Sequence, residues 1–121
     1  MEENMWSYEE FLKHIQEDNV EQGGCAYEKM FEIFQGKWNM RVLYELCKAP
    51  SLRFNQLQKA IPNITNAMLI KTLKVLEQFG ILKREQFNEI PPHVEYSLTV
   101  AGRELLPIFY EMAKWAGKHI L

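Results

Sequence analysis

Long apolar runs are absent from this 121-residue chain, and its first residues, MEENMW, carry acid where a secretory signal carries base. No run approaches the ~20 residues that a helix needs to cross a bilayer, so neither membrane insertion nor export is expected. Cysteine is scarce. Cys25 and Cys47 are the only two, a poor disulfide framework for this length, which points to free thiols in a reducing compartment and hence to the cytoplasm. Histidine is as thin: His14, His93 and His119 lie far apart and match neither an HExxH nor a CxxC-based metal set. A metal site and a cofactor are therefore not expected. The chain also lacks a glycine-rich phosphate loop, a paired-acid motif and a nucleophile with a base at workable spacing, so it is not expected to be an enzyme. What is present is a 47% hydrophobic composition over a length that suits one core.

The net charge of −2 is the wrong sign for a protein that neutralises phosphates, but the total conceals a segregation. Between Lys48 and Arg84 stand seven basic residues (Lys48, Arg53, Lys59, Lys71, Lys74, Lys83 and Arg84) against the single acid Glu77, a local charge of +6. Residues 1–47 carry −6 and residues 85–121 carry −2. A basic run is often no more than a solvated face. Its meaning depends on what the run folds into.

Ser7 and Glu10 have the spacing of a capping box, and Tyr8, Phe11, Leu12 and Ile15 recur on one helical face, which predicts a first helix over 7–17. The polar stretch Asp18–Gly24 reads as a linker. A second helical region begins near Cys25, breaks at Gly36, and resumes from Lys37 with Trp38, Val42, Leu43 and Leu46 on one side until Pro50. Ser51–Phe54 reads as a short extended piece. Asn55 is then the expected cap of a helix with Leu57, Ala60 and Ile61 inward, ended by Pro62. Thr65 caps the next helix, whose narrow stripe of Leu69, Leu73 and Leu76 runs to Gly80. The period then changes. Ile81–Phe87 and Val94–Leu98 read as the strands of a hairpin around Glu89–Pro92. Thr99 caps a last helix bearing Leu105, Ile108, Phe109, Met112 and Trp115, with a kink expected at Pro107.

Two short helices in tight succession, a hairpin and a closing helix make a mainly α fold with a small β-hairpin wing, a winged helix-turn-helix. In that arrangement the second helix of the pair enters the major groove of double-stranded DNA. Groove entry needs a helix start free of acid and rich in donors. The expected DNA-facing set is Arg53, Asn55 and Gln56 before and at the start of the first helix, then Thr65, Asn66, Ala67, Met68, Lys71, Thr72 and Lys74, with Arg84 and His93 on the wing. Asn66 could pair with an adenine edge in two bonds, whereas Lys71 and Lys74 could serve guanine or merely phosphate. For the lysines the competing reading is solvated surface; Arg84 and His93 could instead pair with Glu77 or Glu85.

The run RFNQLQKAIPNITNAMLIKTLKVLEQFGILKR, followed by EIPPHVEYSLTVAGRELLPI, closely resembles the HxlR-type helix-turn-helix transcription regulators, relatives of the MarR-type winged-helix proteins. The likeness spans Cys25 to about Ala116. It is most specific at Gly36-Lys37-Trp38, Arg53-Phe54-Asn55, Pro91-Pro92, the stretch from Val94 to Thr99, Gly102 and Leu106-Pro107. The resemblance implies a dimer that binds DNA at operators near the genes it controls, with repression the expected sign. Ala26 and Ala67 depart from the family's usual Pro and Lys at those places, and at Ala67 the departure implies a different base preference.

The resemblance also singles out Cys25, because some relatives sense oxidants or electrophiles through a cysteine there. Cys25 is a candidate redox sensor, a small-molecule effector being the other class of input, and the competing reading is a quiet buried thiol. Trp6, Phe11, Leu12 and Ile15 at one end and Ile108, Phe109, Met112 and Trp115 at the other flank a centre already supplied with Leu and Ile, which suggests a homodimer interface. Residues 1–24 form an N-terminal helix and linker, a dimerisation arm, and residues 25–121 the winged-helix domain. The alternative from another class is a winged-helix protein-interaction module that does not bind DNA.

Overall fold

The structure is a computed structural model that describes residues 7–17 and 26–121. The chain divides into two compact units, Met1–Glu32 and Ile33–Leu121. In the first, α1 (Tyr8–Gln16) opens on the expected capping box. Glu10 N donates to Ser7 Oγ at 3.1 Å while Ser7 N donates to Glu10 Oε1 at 2.8 Å, so two amides that a helix start leaves orphaned are both satisfied. These bonds to the charged form hold the Glu10 carboxyl below its ordinary pKa.

The helix α2 (Ala26–Phe34) leads through Gly36, at φ +86°, into α3 (Asn39–Leu46). Then follow β1 (Leu52–Arg53), α4 (Phe54–Ala60), α5 (Asn66–Gln78), β2 (Leu82–Phe87), β3 (His93–Leu98), α6 (Val100–Arg103) and α7 (Leu105–His119). The helices α3, α4 and α5 contribute what their apolar spacing allows. Val42, Leu43 and Leu46 of α3, Leu57 of α4 with Ile61 and Ile64 beyond it, and Leu69, Leu73 and Leu76 of α5 converge with Ile81, Leu82 and Leu98 in one buried core. No described helix is long and apolar enough to cross a membrane.

The sheet has three strands, not the two that alternation alone suggested. Its order is β1-β3-β2, antiparallel throughout, with Leu52 opposite Tyr96 and Arg53 opposite Glu95 on one side, and Leu82 opposite Leu98 and Phe87 opposite His93 on the other. The piece before α4 is thus a sheet edge only two residues long, and Phe54 belongs to the helix. Asn55 is not the cap of α4. That place falls to Arg53, whose backbone N donates to Gln56 Oε1 at 2.8 Å; its guanidinium has no acceptor to return the bond.

Helix α5 starts and stops where its sequence says. Thr65 Oγ1 accepts from Met68 N at 3.1 Å. At the other end Gly80, at φ +75°, donates to Glu77 O at 2.9 Å and Ile81 N donates to Leu76 O at 3.0 Å, a Schellman closure that an L side chain at Gly80 would strain. The last helix is broken, but not at Pro107. Thr99 caps only the short α6, and the chain steps at Glu104 into α7, whose third residue is Pro107. A proline cannot donate to the carbonyl four residues back and its ring crowds that carbonyl, here that of Arg103, so the discontinuity appears one turn ahead of the proline.

Gly102 packs α6 against the wing: a Cβ there would lie 2.2 Å from Ile81 O and 3.1 Å from Leu98 Cδ2. A Cβ at Gly117 would meet nothing within 4 Å. Gly102→Ala is expected to lower the unfolding free energy in urea by about 2 kcal/mol or more. Gly117→Ala should be neutral or stabilising by up to about 1 kcal/mol, and equal effects at the two positions would contradict this packing.

Candidate nucleic-acid interface

The inner face of α5 is spent on the core through Leu69, Leu73 and Leu76, so its outer face is what the chain offers to a partner. No acid stands in its first turn. Asn66, Ala67, Met68, Lys71 and Lys74 are all exposed there, and Ala67, Ile70, Lys71, Lys74, Val75 and Gln78 line one shallow depression along the helix. Thr72, expected on this face, is buried instead. It is 6% exposed, and its hydroxyl donates to Met68 O at 2.8 Å. Three residues after Leu69 and four before Leu76, it sits on the buried stripe, and returning its proton to the preceding turn is how a hydroxyl is satisfied there. Ile70, 45% exposed, was not anticipated at all.

Two ties fix α4 and α5 relative to the rest of the unit. The Gln58 amide donates to Asn66 Oδ1, joining the two helices across their turn and occupying one acceptor site of the side chain expected to read adenine. Asn63, at φ +69°, takes the left-handed turn position that Asn tolerates. Behind them Glu45 is 3% exposed, the one buried carboxylate among the described residues, and sequence reasoning passed over it. Arg41 reaches Glu45 Oε2 through Nε at 3.2 Å and Nη2 at 3.0 Å, and the same Nη2 donates to Ala60 O at 3.0 Å, so α3 holds the C-terminal end of α4. Lys48 Nζ lies 3.2 Å from Glu45 Oε1. The i, i+4 spacing of Arg41 and Glu45 was legible in the sequence; the third partner, a backbone carbonyl nineteen residues on, was not.

Arg53, Asn55 and Gln56 are exposed at the junction of β1 and α4, and Arg84 is exposed on β2. His93 is otherwise engaged. Its side chain is 13% exposed, its ring stacks on Phe87 at 4.8 Å, and its Nε2 and Nδ1 lie 2.9 Å from Glu95 and 3.6 Å from Glu89. It braces the wing from within and does not point a free edge outward. Glu95 in turn accepts from Ser51 Oγ at 2.8 Å, which ties the wing to the approach of β1. The Ser51 bond, then the His93 bond, hold the Glu95 carboxyl below its ordinary pKa, with Arg53 adding to the effect.

Trp6, expected at a dimer interface, and Cys25, the candidate sensor, lie outside the described residues. Leu12 and Ile15 are exposed on α1, and Ile108, Met112 and Trp115 are exposed on α7. Phe109 departs from that set: it packs against the core and meets Phe34 edge to face at 6.5 Å. Among the described residues no group of His, Cys, Asp or Glu could hold a metal ion.

The HxlR-like helix-turn-helix family model matches residues 33–121, the whole of the second compact unit. This chain belongs to that family. The HxlR-like chain is 45% identical over 93 residues to the HTH-type transcriptional regulator YkvN of Bacillus subtilis strain 168, covering 77% of this chain and 78% of that one. Among solved structures it is similar to a transcriptional regulator classed with the MarR family from Porphyromonas gingivalis W83, with 40% identity, a TM-score of 0.70, and 82% and 95% of the two chains covered. It is similar too to the redox regulator HypR in its oxidised form, with 38% identity, a TM-score of 0.69, and 78% and 97% covered. The fold is thus the winged helix-turn-helix of these regulators, and the HxlR-like chain is a transcriptional regulator with a helix-turn-helix domain.

Because Glu95 ionises below the ordinary carboxylate range, its ties to Ser51 and His93 are fully present above that range and are lost as pH falls through its lowered pKa. A carbon-13 titration of the carboxyl by NMR should show that depressed pKa, and Ser51→Ala should move it upward; an unmoved titration would mean that the Ser51 bond is not formed.

Proposed function

We propose that this HxlR-like chain is a homodimeric, sequence-specific DNA-binding regulator that lays the start of α5 in the major groove and represses by occupying its operator. The observation that carries the reading is the outward face of α5: an acid-free first turn with Asn66, Ala67, Lys71 and Lys74 exposed together, backed by a helix whose other side is wholly committed to the core. Arg53, Asn55, Gln56 and Arg84 are the exposed groups available to phosphates on either side of it. The free amides at the start of α5 favour an anionic acceptor at the same place.

Dimerisation is supported by α7. None of its residues is buried, yet Leu106, Ile108, Tyr110, Met112 and Trp115 are all large, apolar and exposed. Leu106 and Tyr110 lie on one side of the helix and Ile108, Met112 and Trp115 on another, and a lone chain leaving this much apolar surface in water would be unusual. A two-fold pairing would present two α5 helices about 34 Å apart, one turn of B-DNA, and so call for a pseudo-palindromic operator. An input signal also belongs to this reading, supported by the similarity to the redox regulator HypR; Cys25 is the candidate thiol. Cys47 is the poorer one, because partial burial pushes its pKa up and so disfavours the reactive thiolate. A cytoplasmic location follows from the same function.

The deciding experiment is fluorescence anisotropy of the purified protein with duplex DNA from its own upstream region, titrated at several salt concentrations beside a scrambled duplex. Tight, sequence-preferring binding with a steep salt slope is expected; weak binding indifferent to sequence would favour a protein-interaction module. Replacing Lys71 and Lys74 together by Ala should weaken binding and flatten the slope by about 0.9 for each phosphate that is no longer neutralised. For the dimer, Met112→Glu should shift sedimentation toward monomer while the circular dichroism spectrum is kept, and an unshifted dimer would place the interface elsewhere.

A further inference from the structure

Ile70 has no evident task in the fold. It stands on α5 beyond the buried stripe of Leu69, Leu73 and Leu76, is 45% exposed, and shares a shallow depression with Ala67, Lys71 and Lys74. The spacing Ala67, Ile70, Lys71, Lys74 is i, i+3, i+4, i+7, so the four residues form one continuous patch, two apolar members followed by two cations. A single exposed isoleucine is ordinary on a protein surface, but this one shares its patch with two cations, and those neighbours say which kind of partner fits. Lysine is depleted at protein–protein interfaces, and no acid stands in the first turn of α5 to repel an anion beside this patch. A polyanion that also displays small apolar groups matches both halves of the patch. On base edges in the major groove the only apolar group is the C5-methyl of thymine.

We infer that Ile70, flanked by the Ala67 methyl, packs against a thymine C5-methyl in each half-site and makes this chain select thymine over cytosine at that step. The inference rests on the DNA-binding reading above and adds a determinant that uses no hydrogen bond. Lys71 and Lys74 contribute through charge, to phosphates or guanine edges, whereas Ile70 contributes through the methyl it covers. The two contributions therefore separate by salt: the lysine contribution falls as ionic strength rises, and the methyl contribution does not.

The test begins with selection of tight-binding duplexes from a random pool by the full chain. In the selected duplex each thymine is then replaced singly by deoxyuridine, which removes the methyl and leaves the pairing edge intact. Wild type and Ile70→Ala are compared on every duplex by anisotropy at two salt concentrations. At one thymine per half-site, deoxyuridine should weaken wild-type binding about fourfold, the worth of one buried methyl. Ile70→Ala should bind the thymine duplex several-fold more weakly than wild type, lose nothing further with deoxyuridine at that position, and keep the wild-type salt slope. A deoxyuridine scan without effect at any position, or with equal effect on both proteins, would overturn the inference while leaving DNA binding intact. A pool from which no sequence is enriched would overturn the DNA reading and this inference together.

Discussion

The carbonyl of Ile81 registers α5, the wing and the helix after it against one another. It accepts from Thr99 N at 3.0 Å, it lies where a Cβ on Gly102 would have to go, and it belongs to the residue whose own amide closes α5 on Leu76. Thr99 completes the knot. Its hydroxyl lies within reach of both Gly80 O and Ile81 O and accepts from Gly102 N at 3.1 Å. One hydroxyl proton serves one acceptor at a time, and since Ile81 O already has the Thr99 amide, the Gly80 carbonyl is the needier of the two. The end of α5, both ends of the hairpin and the start of α6 thus meet in a few residues, with Leu76, Ile81 and Leu98 buried around them.

At the other end of the helix pair the constraint is electrostatic. Glu45 is taken out of water beside Arg41 and Lys48, and such an arrangement is tolerable only when the carboxylate is well supplied with donors. Arg41 then passes the constraint on to the Ala60 carbonyl. With Gln58 joined to Asn66, the path from α3 to the exposed start of α5 is a short chain of directed polar contacts laid over a leucine-rich core. Packing sets how deeply α5 is seated, while these contacts limit how it can slide or roll.

Much of this was legible in the residues. Ser7 with Glu10, Thr65, Gly80 and Thr99 mark helix ends by short-range chemistry, and the structure uses all four at helix termini. The errors arose where a local signal met a longer-range one. Asn55 is a good cap by type, but β1 pairs with β3 and so hands the cap position to Arg53. Thr72 is polar, which by type points outward, but its offsets from Leu69 and Leu76 put it inward. Ile70 escaped notice for the opposite reason, an apolar residue off the stripe with no role in core or turn. His93 and Phe109 were misjudged because the partners that draw them in, Glu95 with Glu89 and Phe34, could not be assigned by counting along the chain.

The boundary between the two compact units is also a boundary of sign. Residues 33–121 carry twelve basic against seven acidic side chains, whereas residues 1–32 carry two against nine. The overall charge of −2 describes neither unit. At neutral pH and low salt the second unit alone is a cation that a column of sulfonate beads would retain, while the intact chain carries the charge for retention by quaternary ammonium. The acidic stretch thus offsets, within one molecule, the indiscriminate stickiness that a free basic domain has for every polyanion it meets, and leaves short-range complementarity to decide which surfaces are held.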